Sequence, residues 1–104
     1  MTTHFVIHPD AETDIQEAHG WYEDRSIGLG ERFLHSVGEA FAAIRETPQR
    51  FPRVYDEPDL SIRRALIEGF PYGAFFIWDE NRGIISVIAC MHVRRDPRRW
   101  LRRA

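Results

Sequence analysis

The chain has 104 residues and a mass of 12.2 kDa, which gives room for one folded domain over residues 1–104 and not for two. Hydrophobic residues make up 43% and charged residues 29%, which excludes a disordered chain. No apolar run is long enough to span a bilayer and the start carries no basic-then-apolar leader, so the protein is expected in the cytoplasm.

The formal net charge of −2 hides a polarity, because residues 1–60 hold five Arg against twelve acids and residues 61–104 hold nine Arg against four. Either the basic half faces an acidic partner or the two halves pair internally. All fourteen basic side chains are Arg, which excludes a lysine general base or Schiff base and leaves every cation permanently charged. Cys90 stands alone inside an apolar run, so it forms no internal disulfide and reads as a core filler.

In chain order, Thr3 to His8 alternates around Phe5 and Ile7 and predicts a strand. Pro9, with Asp10 and Glu12 behind it, opens a helix whose stripe is Ala11, Ile15, Ala18 and Tyr22, with Trp21 beside it. Arg25-Ser26-Ile27-Gly28 breaks that helix. Leu29, Phe33, Val37, Ala40 and Ile44, reinforced by Leu34 and Phe41, give a second helix that Pro48 stops, so the two form a hairpin. Pro48, Pro52 and Pro58 predict an irregular connection around Phe51 over residues 48–60. Leu60 to Ile67 reads as a strand, Gly69-Phe70-Pro71 as a turn, and Tyr72 to Trp78 as the next strand. After a turn at 79–83, Ile84 to Met91 is apolar enough to be a central strand. Asp96-Pro97 predicts an N-cap and first turn of a short helix through Trp100 to Arg103. The fold class is α+β, with an N-terminal strand and a helical hairpin packed on a small antiparallel sheet.

The densest chemical feature is the ending, with six Arg in the last eleven residues and Trp100 among them. It has the means to grip phosphates and stack on a base; alternatively Arg95 pairs with a carboxylate and Trp100 closes the core. Of the proton-handling candidates His4, His8, His19, His35 and His92, only His92 lies beside the basic cluster. His4 and His8 share a strand face without an evident third ligand, so neither metal nor cofactor is expected. Gly28-Leu29-Gly30 follows a helix and reads as a turn, not a phosphate loop.

Several pieces coincide along the chain: Ala18 through Trp21-Tyr22-Glu23, Gly28-Leu29-Gly30-x-Arg32-Phe33-Leu34, Ile44 with Pro48, Ile62-Arg63-Arg64, Phe70-Pro71-Tyr72, and His92-x-x-Arg95-Asp96-Pro97-x-x-Trp100. From about Ile7 to Arg102 this set resembles the RelE/ParE toxin superfamily, and within it the ParE-like toxins also called plasmid stabilisation proteins. The resemblance implies the toxin of a bacterial type II toxin–antitoxin module, neutralised by a cognate ParD-like antitoxin from the same operon. RelE-like members cleave messenger RNA on the ribosome, whereas ParE-like members inhibit DNA gyrase.

In the ribonuclease branch, cations project from the strand here spanning Leu60 to Ile67, an Arg follows the Tyr of the next strand, and further Arg and Tyr groups come from the C-terminal segment. Here Leu66 and Gly73 stand where cations are expected and Trp100 replaces a Tyr, so the resemblance points to gyrase and away from an enzyme. Were the chain a ribosome-dependent mRNA interferase, Arg64, His92 and Arg95 would be its catalytic set. A third reading is a degenerate, non-toxic module that anchors its antitoxin on DNA. Direct nucleic-acid contact, other than through the antitoxin, is not expected. The antitoxin is expected in a groove where the helical hairpin meets the sheet, on Trp21, Tyr22, Phe33, Phe41 and Phe51, and the cellular target on Arg63, Arg64, Arg94, Arg95 and Trp100.

Overall fold

A computed structural model describes residues 3–95 and 101–104. Strand β1 (His4–Ile7) ends at His8, whose Nδ1 accepts the Asp10 N–H at 3.1 Å and so caps helix α1 (Pro9–Arg25), with Pro9 in its first turn. Gly28 then takes φ 89°, a left-handed conformation that favours glycine, and the chain reverses into helix α2 (Leu29–Glu46). Both helix limits agree with the expectation from Pro9, Gly28 and Pro48. A 3-10 turn at Pro48–Arg50 leads to β2 (Arg53–Glu57), β3 (Leu60–Leu66), β4 (Tyr72–Asp79) and β5 (Ile84–His92), and a second 3-10 turn covers Leu101–Arg103. The predicted helix start at Asp96-Pro97 and its passage through Trp100 lie outside the described residues.

The sheet order is β1-β5-β4-β3-β2. Two expectations are corrected. Residues 53–57 are an edge strand and not irregular connection, because prolines flank them without interrupting them and charged side chains suit an exposed edge. The sheet is also mixed: β2 to β5 are antiparallel neighbours, but β1 runs parallel to β5. β5 is too apolar to stand at an edge, and β1 covers its free side as far as the Ile7–Val87 pair.

The helices pack on one face of the sheet, where Phe33, Val37 and Ile44 meet Ala65, Ala74, Phe76 and Val87. The opposite face carries a smaller cluster of Ile62, Phe75, Ile88 and Ala89, against which Leu101 packs. Register shifts between Phe75 and Phe76, so β5 has one extra residue, Ile88, facing this second cluster. Adjacent residues of β4 therefore serve different faces: Tyr72 lies with the helices, Gly73 with the second cluster.

Candidate functional site: a cleft between α1 and the β4–β5 pair

Tyr72 opens β4 and His92 closes β5, and the two are direct cross-strand partners with ring centroids 5.7 Å apart. Helix α1 brings Trp21 and Tyr22 beside them. Two adjoining hollows of about 190 Å³ and 420 Å³ share Trp21, Tyr72, His92 and Arg95 as walls. Asp14 and Glu17 extend the smaller one, and Arg94 the larger.

Tyr22 is buried and anchors the floor, its ring 5.4 Å from Phe33, 4.9 Å from Phe70 and 6.0 Å from Tyr72. Trp21, the next residue on the helix, is 49% exposed. It is nonetheless held: the Arg25 guanidinium lies 3.3 Å from its ring centroid while Arg25 Nη1 donates to the Trp21 carbonyl at 3.1 Å. The Arg94 N–H donates to His92 Nδ1 at 3.1 Å, which leaves Nε2 as the donor of a neutral His92 ring. Burial raises the Tyr72 hydroxyl above its usual pKa, with Cys90, Asp14 and Glu17 adding and Arg95 opposing, so the phenol stays a neutral donor. Cys90 is pushed up to about 12 by burial first and Asp14 second, which makes it inert as a nucleophile and agrees with its reading as core.

The expected target-binding residues are divided among three places. Arg94 and Arg95 join His92 in the cleft. Arg63 is a staple elsewhere: its Nη1 donates to the carbonyls of Phe51 at 2.6 Å and Gln49 at 3.2 Å, and its guanidinium lies 5.8 Å from the Trp78 ring centroid. Burial, and then Arg53, lower its pKa. Arg64 lies on the opposite face of the sheet, its stem stretched across Gly73, where an added Cβ would stand 3.0 Å from Arg64 Cγ and 3.1 Å from Cδ. Its buried Nε has no hydrogen-bond partner among the described residues. Arg64 and His92 therefore leave the sheet on opposite faces. Trp100 lies outside the described residues.

The five aromatics expected to form one groove do not share a surface. Trp21 and Tyr22 belong to the cleft, and Phe33 is wholly buried. Phe41 packs on Phe5 at 5.3 Å, and Phe51 stands edge-on to Phe76 at 5.9 Å. Phe51 also lines a groove of about 280 Å³ between α2 and β3, together with Ala40, Ala43 and Leu66. Leu66 is 61% exposed.

Sequence reasoning named Tyr72 only within the Phe70-Pro71-Tyr72 set and missed Asp14. A signal existed for the second: Asp14 falls between Ala11 and Ala18 on the apolar stripe of α1, where a carboxylate has to have a partner. Among the described residues no group of three or more His, Cys, Asp or Glu is placed to hold a metal ion, and no helix is long and apolar enough to cross a membrane. Residues 5–97 match the family described as "ParE toxin of type II toxin-antitoxin system, parDE". No curated protein matches the chain.

Proposed function

The chain belongs to the ParE toxin family of parDE type II toxin–antitoxin systems, and from that premise we propose that it arrests DNA gyrase in the cytoplasm, is silenced by a ParD-like antitoxin from the same operon, and cuts no RNA. The observation that supports this reading is the separation of Arg64 from His92. Cleavage through a 2′-hydroxyl needs a proton acceptor, a proton donor and phosphate-binding cations within hydrogen-bond reach of one another. Arg64 packs over Gly73 on one face of the sheet, whereas His92 pairs with Tyr72 on the other. Arg itself remains protonated and supplies only the cation.

The target then contacts Arg94 and Arg95, with Trp100 continuing the same segment. The antitoxin covers exposed apolar surface at Trp21 and along the groove of Phe51 and Leu66. Induced expression of the chain alone is expected to slow growth, and coexpression of the adjacent gene to restore it, while ribosomes carrying a defined message leave that message intact. Ribosome-dependent cleavage that a folded His92→Ala variant abolishes assigns the mRNA interferase activity instead. Normal growth together with a stable toxin–antitoxin complex on DNA assigns the degenerate module.

A further inference from the structure

We propose that the cleft walled by Trp21, Tyr72, His92 and Arg95 docks one carboxylate side chain of a protein partner, with an apolar or aromatic neighbour of that residue lying against Trp21. The inference rests on the reading that the target is a protein, and it names the chemistry by which that protein is held.

Donors line the larger hollow, and none of its described lining residues is an acid. Arg94 and Arg95 line it, the His92 ring offers Nε2, and the Tyr72 hydroxyl is neutral and makes no hydrogen bond to another described residue. A guanidinium beside neutral N–H and O–H donors matches the fork of a carboxylate, and a partly buried phenol with no partner among the described residues gains from any acceptor that arrives. Trp21 adds a flat apolar wall whose position is already fixed by Arg25 and by the edge of Tyr22 at 5.0 Å, so little side-chain freedom is lost on binding.

The smaller hollow decides between a carboxylate and a nucleic-acid backbone. Glu17 lines the smaller hollow, and among the described residues no cation lies within ion-pair distance of it. Asp14 lines it too, although its charge is met by Arg103 at 2.7 Å. A chain of phosphates laid through both hollows meets Glu17 as well as Arg95 and gains little, whereas a single carboxylate seated in the larger hollow meets no acid among its described lining residues.

The test is a titration of the full chain followed by NMR at the Trp21 indole N–H and the His92 ring. The probes are N-acetyl-phenylalanine, which joins a carboxylate to an aromatic ring, its uncharged amide, and a short oligouridylate, all at about 0.15 M salt, where screening is physiological. The acid is expected to shift both signals saturably and to bind about tenfold more tightly than the amide, the size of one charge-assisted hydrogen bond. Arg95→Gln should lose a similar factor, and Arg82→Gln, at the far end of the sheet, should lose nothing. Equal binding of acid and amide, or full binding by a folded Arg95→Gln, overturns the proposal. So does an oligouridylate that shifts the same signals more tightly than the acid. A cleft that fails these tests in a chain that still stops supercoiling removes the docking site alone; supercoiling that continues undisturbed removes the choice of target alone.

Discussion

Arg103 Nη1 donates to Asp14 Oδ2 at 2.7 Å, tying the last turn of the chain to its first helix across 89 positions of sequence. The same carboxylate accepts the Cys90 N–H at 3.0 Å, and the same guanidinium donates to the Ile88 carbonyl at 3.2 Å. β1 stops pairing with β5 at Val87, so the edge of β5 beyond it lacks a strand partner, and Asp14 and Arg103 supply the missing acceptor and donor. Internal pairing of the acidic and basic halves is realised at this point. It does not consume Arg94 or Arg95, which remain on the cleft.

Asp14→Ala strands the Cys90 N–H, and Arg103→Ala strands a buried carboxylate. Each should lower stability by about 2–4 kcal/mol, and the double variant by clearly less than the sum. Urea denaturation of the four proteins measures this.

The closeness of Gly73 to Arg64 gives a second expectation. A Cβ at 73 must displace the middle of the Arg64 side chain, not its free end, so Gly73→Ala should cost about 1–3 kcal/mol in the native background. In an Arg64→Ala background the same change should be nearly neutral, and the thermodynamic cycle reads the difference. Any side chain at position 73 requires the Arg64 stem to shift, a physical reason for a glycine there.

Glu23 joins the two helices. Its carboxylate accepts the Gly28 N–H at 2.9 Å and the Gly30 N–H at 3.0 Å, and these bonds, the Gly28 bond first, hold its pKa below the ordinary 4.5. A carboxyl group whose folded pKa is depressed contributes stability that is full above its unfolded value and fades as pH falls through the folded one. The stability difference between the native chain and Glu23→Gln should therefore be constant near neutrality and shrink as pH drops below about 4.5, the unfolded value. A difference that does not change with pH contradicts the role given to Glu23.

Arg63 and Arg95 were grouped by sequence as one basic surface, but they should fail differently. Arg63→Ala releases the carbonyls of Phe51 and Gln49 and should lower stability by about 1–2 kcal/mol, with toxicity per folded molecule unchanged. Arg95→Ala should keep the melting temperature and lose toxicity. Circular dichroism melts beside growth curves separate the two.

The helices were legible because their punctuation is local: Pro9, Gly28 and Pro48 each impose a backbone condition that no distant residue changes. The central strand was legible because Ile84 to Met91 has too few polar side chains to face water. β2 was not, since Arg53, Asp56 and Glu57 carry no hydrophobic alternation and only its pairing with β3 makes it a strand. The parallel placement of β1 was hidden for a related reason, as nothing in His4 to Ile7 names the strand that will lie beside it. The site shows the same limit. Arg63 and Arg64 are neighbours in sequence and point to opposite faces of the sheet, because side chains alternate along a strand. A basic pair in a strand therefore never forms one patch, whereas Arg94 and Arg95, just past the end of β5, both reach the cleft.

Inhibition of gyrase tests the account most directly. The purified chain, added to purified gyrase and relaxed plasmid, should stop supercoiling in proportion to its concentration, and the product of the adjacent gene should restore it. Supercoiling that proceeds unchanged at every concentration, while the same preparation cleaves a defined message on ribosomes, would contradict the account.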